Sequence, residues 1–155
     1  MVNEKNIKLV VLADDDEDDR LLFEEAFAES GVPCALVCVE DGVKLLDLLT
    51  EISQTNGESA ASSTDFPGLI LLDINMPRKN GKQVLKEIKE NPHLKHIPVV
   101  MFSTSKSPDD VAVTYQLGAN SYIVKPATFE GLLELMQVIR KYWVETASVY
   151  SVVSY

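Results

Sequence analysis

Six polar residues stand directly after short apolar runs at four separate points of the chain. They are Asp14, Asp15, Asp73, Ser103, Thr104 and Lys125. Three carboxylates, two hydroxyls and an ammonium, if they are brought together, can bind a divalent cation and a phosphoryl group. The position that these residues share is therefore the first indication of chemistry in the sequence.

The three carboxylates predict a magnesium site. Crowded carboxylates repel one another, and one of them takes up a proton unless a cation joins them. Oxygen ligands supplemented by water suit Mg²⁺, and its charge together with that of Lys125 would cancel the charges of Asp14, Asp15 and Asp73. A carboxylate can also accept a phosphoryl group covalently. Asp73 is the best candidate acceptor, because it stands alone and a turn containing proline follows it.

The apolar runs before these residues predict the strands of one parallel sheet. Strands are expected at residues 7–13, 34–39, 68–73, 97–102 and 121–124. Five strands alternating with five helices predict a doubly wound α/β domain. Ligands of such sheets bind beyond the carboxyl ends of the strands, where the strand order reverses. We therefore expect the six polar residues to meet at that edge.

Capping signals and helical spacing place the five helices. Asp41 is expected to cap the second helix, a capping box at Ser107 to open the fourth, and Thr128 to open the fifth. The third helix is predicted over residues 81–90. The predicted inner faces are Leu22, Phe23, Ala26 and Phe27 in the first helix, Val84, Leu85 and Ile88 in the third, and Phe129, Leu132, Leu133, Met136, Ile139 and Trp143 in the last.

Length and composition fit one domain over residues 1–155, with its core in 7–144. Residues 53–67 predict a surface loop, since they are rich in Ser, Ala, Thr and Gly and carry no hydrophobic stripe. A net charge of −10 disfavours nucleic acid and anionic membranes as partners. Cys34 and Cys38 lie in a predicted buried strand and are expected to be small core residues. With no apolar run long enough to cross a bilayer, a cytoplasmic location is expected.

Four segments, in this order and spacing, resemble the response-regulator receiver domain of bacterial two-component signalling. The segments are VLADDDEDD, LLDINMPRKNG, IPVVMFSTS and GANSYIVKP, and the resemblance covers residues 7–144. It implies a flavodoxin-like receiver fold and a phosphorelay role in which a histidine kinase phosphorylates Asp73. The STSK run and the KYWVE ending resemble most closely the single-domain regulators that serve phytochrome-type kinases.

The resemblance also implies a role for each site residue. Asp15, Asp73 and the backbone carbonyl of Asn75 would bind Mg²⁺, and Asp14 would reach the ion through water. Ser103 and Lys125 would hold the phosphoryl oxygens, and the peptide bond between Lys125 and Pro126 would be cis. Movement of the Ser103 hydroxyl toward the phosphoryl group would let Tyr122 turn inward and change the surface of the fourth helix, fifth strand and fifth helix.

Two other functions share this fold class. A haloacid-dehalogenase-type hydrolase also uses an aspartate nucleophile and Mg²⁺, but Asn75 stands where that family would place its second aspartate, although Asp14–Asp16 contain a formal DxD. A flavodoxin-like carrier needs a phosphate-binding loop after the first strand, where this chain has six acids. We therefore expect a phosphoacceptor that catalyses only its own phosphorylation and dephosphorylation.

The residues after 144 indicate which kinds of partner to expect. No DNA-binding or catalytic segment is recognisable after residue 144, so we expect output by protein contact or phosphoryl relay. Residues 145–155 are apolar and β-branched and contain neither Pro nor Gly. They are expected either to fold back near Trp143 or to pack against a second copy of the chain, and a homodimer is slightly favoured.

Overall fold

The computed structural model describes residues 7–58 and 66–148 and contains one sheet of five parallel strands. The strands are β1 (Leu9–Ala13), β2 (Ala35–Val39), β3 (Leu69–Leu72), β4 (Val99–Ser103) and β5 (Ser121–Val124), in the order β2-β1-β3-β4-β5. The helices are α1 (Glu17–Ser30), α2 (Gly42–Glu58), α3 (Gly81–Glu90), α4 (Pro108–Gln116) and α5 (Phe129–Ile139), and a π-helical segment, Arg140–Thr146, follows α5. The predicted doubly wound α/β fold is confirmed.

Two hydrophobic cores lie on opposite faces of the sheet. Successive side chains of a strand point to opposite faces, so β1 gives Val10 and Leu12 to one core and Val11 and Ala13 to the other. The first core contains side chains of α1 and α5, and the second contains side chains of α2 and α3. All four residues of β3 are buried, as its continuous apolar run predicts.

The strand order reverses between β1 and β3, which are neighbours in the sheet. Their register pairs Ala13 with Leu72, the last residue of each strand. The residues that follow, Asp14 and Asp73, therefore leave the sheet side by side at the reversal point, where ligands bind in folds of this class.

The three predicted helix N-caps are confirmed. The side-chain oxygens of Asp41, Ser107 and Thr128 accept hydrogen bonds from the N–H groups of Lys44, Asp110 and Gly131, respectively. The capping box predicted at Ser107 is wrong in its second half. The Asp110 carboxylate turns instead to the Ser105 hydroxyl and the Lys82 ammonium, because a charged partner makes the stronger hydrogen bond.

The second helix is longer than predicted. Residues 53–58, expected to begin the surface loop 53–67, continue α2 to Glu58, while residues 59–65 lie outside the described part of the chain. Extending an existing helix adds one hydrogen bond per residue at little cost, even for residues of modest helical propensity. No helix within the described residues is both long and apolar enough to cross a membrane.

The strand that carries the cysteines is more exposed than predicted. β2 lies at the edge of the sheet, and none of its five residues is fully buried. Cys34 and Cys38 are half-buried free thiols that pack against the first core. An apolar run alone does not distinguish an edge strand from a central one, which explains the difference.

In α1 and α5, the set of buried residues differs from the predicted inner face. Leu22 is 43% exposed, whereas Phe23, Ala26 and Phe27 of the same helix are buried as predicted. Leu135, which was not predicted, is buried in the first core with Leu132, Met136 and Ile139, and Phe129, Leu133 and Trp143 pack against that core. Of the segment 145–155, only residues 145–148 are described, so the predicted fate of 149–155 lies outside the described residues.

Candidate functional site

The carboxyl ends of β1 and β3 place three carboxylates together. Oxygens of Asp14, Asp15 and Asp73 all lie within 4.8 Å of one another. Asp14 and Asp73 are buried, while Asp15 is exposed. An all-oxygen set of this size, open to solvent on one side, suits a hard divalent cation that keeps part of its water shell. These residues therefore fit Mg²⁺, as the sequence predicts.

Backbone contacts hold the two buried carboxylates in place. The Asp73 N–H donates to the Ala13 carbonyl at 3.0 Å. Asp14 Oδ1 accepts from the N–H of Asp16 at 2.9 Å, and Asp73 Oδ1 accepts from that of Ile74 at 2.8 Å. One oxygen of each carboxylate is thus occupied by the backbone, and the Oδ2 atoms are left to face the rest of the site.

Lys125 connects the carboxylates of the site. Its Nζ lies 2.7 Å from Asp14 Oδ2 and 2.9 Å from Asp73 Oδ2. Burial alone would lower the pKa of Lys125, but its bonds to Asp14 and Asp73 outweigh burial and raise that pKa above its ordinary value. Burial raises the pKa of Asp14, although the Lys125 ammonium opposes this effect. The ammonium is therefore charged and acts as a built-in counter-ion for the site.

Asp19 is a third partner of Lys125, which the sequence did not predict. Its Oδ2 lies 3.1 Å from the Lys125 Nζ. Among the acids 16–19, Asp16 caps α1, since its side chain accepts from the Asp19 N–H at 3.0 Å, whereas Asp19 reaches the site. The one signal in the sequence for this contact is the position of Asp19, about one helical turn after Asp14 and Asp15.

The peptide bond between Lys125 and Pro126 is trans, since no described peptide bond is cis. The cis bond implied by the family resemblance is therefore wrong for this structure. The trans form is the intrinsically favoured one, and with it the Lys125 ammonium already reaches both buried carboxylates.

The hydroxyl at the end of β4 lies in a buried position. Ser103 is fully buried, and its Oγ accepts from the Ser105 N–H at 3.2 Å. Thr104, also singled out in the sequence, is exposed. The Tyr122 hydroxyl donates to the Ser105 carbonyl at 2.8 Å, and its ring packs against the second core. The Tyr122 ring is already half-buried in this structure. An inward turn of this ring would therefore start from a half-buried position and not from a fully exposed one.

The turn after Asp73 has a strict steric requirement. Asn75 is exposed two residues beyond Asp73, where the resemblance expects a backbone ligand. The Gly81 N–H donates to the Ile74 carbonyl at 2.8 Å and closes the turn. A Cβ atom at Gly81 would lie 2.1 Å from the Asp73 carbonyl oxygen, so only glycine fits at the start of α3, where this helix meets the end of β3.

A half-open pocket lies beside Lys125. It has a volume of about 250 Å³, and apolar side chains of α1, β4 and α5 line most of it. Leu22, which is exposed instead of buried, forms part of this lining, and Asp19 and Lys125 form its polar end. The pocket therefore borders the site at Lys125 and Asp19.

The fold and the site together define a phosphoacceptor domain of the receiver type. Residues 10–137 match the model of the response regulator receiver domain family, and the chain belongs to that family. Receiver domains bind a divalent metal, and the acidic cluster fits that property. Neither the hydrolase nor the flavodoxin-like alternative is favoured by this membership.

Individual relatives show which response regulators this chain is similar to. The response regulator Rcp1 of Synechocystis sp. is 38% identical over 141 residues, which cover 91% of this chain and 92% of that protein. The crystal structure of the phosphorylated cyanobacterial phytochrome response regulator RcpA is 39% identical, has a TM-score of 0.80, and is matched over 94% of this chain and 99% of that one. The Mn²⁺-bound form of Rcp1 is 35% identical with a TM-score of 0.77, over 93% and 99% of the two chains. This chain is thus similar to phytochrome-associated response regulators.

Proposed function

We propose that Asp73 is the residue that accepts the phosphoryl group. The observation that carries this proposal is the 2.9 Å contact between Asp73 Oδ2 and the Lys125 ammonium. The same Asp73 has its other oxygen held by a backbone N–H. One carboxylate oxygen is thus fixed while the other faces a cation, which is the arrangement that an attacking carboxylate beside an anionic phosphoryl group requires.

The transfer moves one phosphoryl group between two side chains. An Asp73 oxygen attacks the phosphorus of a phosphohistidine, the bond from phosphorus to the imidazole nitrogen breaks, and an acyl phosphate forms on Asp73. The electron pair of the broken bond stays on that imidazole nitrogen, and the ring leaves as neutral histidine when its other nitrogen carries a proton in the phosphohistidine. Lys125 and Ser103 bind the phosphoryl oxygens, and this stabilises the charge that spreads over them during transfer.

Asp14, Asp15, Asp73 and the carbonyl of Asn75 form the proposed Mg²⁺ site. When bound there, the ion neutralises the carboxylates and the phosphoryl oxygens. The Mn²⁺-bound structure of Rcp1 supports a divalent site in a similar protein. The exposure of Asp15 leaves room for water ligands, which Mg²⁺ retains in sites of this kind.

Phosphorylation is proposed to act on output through Ser103 and Tyr122. The Ser103 hydroxyl is proposed to donate to a phosphoryl oxygen. Ser105 links Ser103 to Tyr122, because its backbone N–H donates to the Ser103 Oγ and its backbone carbonyl accepts from the Tyr122 hydroxyl. A change at Ser103 would therefore alter the loop before α4 and the surface formed by α4, β5 and α5. That surface is proposed to bind the downstream protein or phosphotransfer partner.

The proposed phosphodonor is a sensor histidine kinase of the phytochrome type. The similarity to RcpA and Rcp1 supports this partner class. We further propose a cytoplasmic phosphoprotein that does not turn over external substrates and does not bind nucleic acid, given the net charge of −10. A homodimer through residues 145–155 stays a proposal, and light scattering of the full chain and of a chain that ends at Val144 tests it.

Intact-mass spectrometry after incubation with acetyl phosphate and MgCl₂ tests the acceptor assignment. Wild type should gain one phosphoryl group, and Asp73→Asn should gain none. EDTA should prevent the gain in wild type if the site is metal-dependent. Phosphate retained by Asp73→Asn would show that another residue is the acceptor.

A further inference from the structure

A polar network connects α3 to the hydroxyl at the end of β4. The Lys82 ammonium, in the first turn of α3, lies 2.7 Å from Asp110 Oδ1 in the first turn of α4. The other oxygen of Asp110 accepts from the Ser105 hydroxyl at 2.6 Å. This ion pair joins α3 to α4 and thereby connects the loops that precede these two helices.

The network ends at a residue of the site. Ser105 also donates its backbone N–H to the Ser103 Oγ at 3.2 Å. A hydroxyl that accepts a hydrogen bond keeps its own proton for another acceptor. The structure records no acceptor for the Ser103 proton among the described residues, so the proton is available to an incoming phosphoryl oxygen.

The position of Ser105 depends on Asp110. Its hydroxyl donates to Asp110 Oδ2 and accepts from the Ser107 N–H at 3.2 Å. Hydrogen bonds from the Lys82 ammonium and the Ser105 hydroxyl lower the pKa of Asp110. The carboxylate therefore stays ionised and binds the hydroxyl by a charge-assisted bond, which is stronger than a neutral one.

We propose that Lys82 and Asp110 are positioning residues for phosphoryl transfer, acting through Ser105 on the Ser103 hydroxyl. Neither residue touches the acceptor carboxylate. Their ion pair holds Ser105 so that its N–H occupies one lone pair of Ser103 and leaves the hydroxyl proton directed at the site. This inference rests on the proposed transfer to Asp73 and adds two residues, both outside the four segments that resemble the family, that set its rate.

The rate of phosphorylation by acetyl phosphate in saturating MgCl₂ tests this role. Lys82→Met should slow the reaction about threefold to tenfold, the effect of one lost hydrogen bond. Lys82→Arg, which keeps the charge, should restore most of the rate. Lys79→Met is the matched control, since Lys79 pairs with Glu87 across 2.7 Å and, among the described residues, has no recorded hydrogen bond or ion pair with Lys82, Asp110 or Ser105. Asp110→Asn gives a second, independent loss of the pair if Lys82→Met is poorly folded.

A double-mutant cycle separates positioning from a general loss of structure. In a Ser103→Ala background, Lys82→Met should have no further effect on the rate, because the hydroxyl that it positions is absent. An equal slowing in both backgrounds, or equal rates for Lys82→Met and Lys79→Met, would overturn the inference. Failure of wild type to gain phosphate, or phosphate retained by Asp73→Asn, would instead overturn the proposed acceptor.

Discussion

The Tyr122 hydroxyl donates a 2.8 Å hydrogen bond to the carbonyl oxygen of Ser105. This bond joins β5 to the loop between β4 and α4, and the N–H of the same Ser105 donates to Ser103. One residue of the loop thus contacts both the site hydroxyl and the aromatic ring on the proposed output surface. A displacement of the loop cannot leave both contacts unchanged.

Tyr122→Phe should lower the free energy of unfolding by about 1 kcal/mol, because it removes one net hydrogen bond of a half-buried hydroxyl. Phosphorylation should remain, since Asp73 and Lys125 are untouched. Urea unfolding measures the stability change. Tyr115→Phe is the control, because Tyr115 is 49% exposed and its hydroxyl makes no recorded hydrogen bond within residues 7–58 and 66–148. Equal stability of the two variants would show that the Ser105 contact contributes nothing.

The polar residues at most of the strand ends could be predicted from the sequence, because the end of each apolar run marks the residue that follows the strand. Asp73 and Lys125 follow β3 and β5 directly. In a parallel sheet, side chains at these positions meet whatever the intervening loops do. The positions of Asp73, its counter-ion Lys125 and the buried hydroxyl of Ser103 were therefore predictable from a pattern of apolar runs.

The rest of the site depends on pairings that no periodicity encodes. Lys82 and Asp110 are 28 positions apart, and Asp19 and Lys125 are 106 apart. The first pair joins α3 to α4 and the second joins α1 to the residue after β5. Both depend on how helices pack against their neighbours, and that packing depends on side-chain fit more than on charge. The prediction also gave Asp110 to a local capping box, where the Lys82 ammonium and the Ser105 hydroxyl compete successfully for its carboxylate.

Replacement of Lys125 by Met should destabilise the metal-free protein by about 3 kcal/mol, because it leaves two buried carboxylates without their counter-ion. Mg²⁺ should then stabilise the variant more than wild type, since the cation no longer competes with the ammonium. Thermal unfolding in EDTA and in MgCl₂ gives both quantities. Lys79→Met, on an exposed pair, should leave the response to MgCl₂ as in wild type. An identical Mg²⁺ response in Lys125→Met and wild type would contradict competition at the site.

Asp15→Asn should weaken Mg²⁺ binding by more than about tenfold, because it removes one charged ligand oxygen from the cluster. Its effect on the metal-free protein should be small, since Asp15 is exposed. Isothermal titration with MgCl₂ measures the affinity. Asp18→Asn is a fair control, because it removes one charge from the same acidic run at a residue outside the cluster. Equal affinities in the two variants would mean that the run acts only through its overall charge.

The two half-buried thiols, Cys34 just before the edge strand β2 and Cys38 within it, should react slowly. Burial raises the pKa of Cys34 from 9.0 to about 11. Burial and the nearby Glu24 carboxylate raise the pKa of Cys38 from 9.0 to about 12. The thiolate is the reactive form, so at pH 8 iodoacetamide should modify the folded chain about a hundredfold more slowly at Cys34 than the urea-unfolded chain.

The same shifts set the direction of a stability change at high pH. Between about pH 9 and the raised pKa values, the unfolded chain has lost thiol protons that the folded chain retains. Stability therefore falls as the pH rises through that window, and the thiols contribute no pH dependence below it. A Cys34→Ala, Cys38→Ala variant should lose less stability than wild type between pH 8 and pH 10.5, as urea unfolding at each pH measures. A parallel loss in both proteins would assign the effect to tyrosine and lysine groups instead.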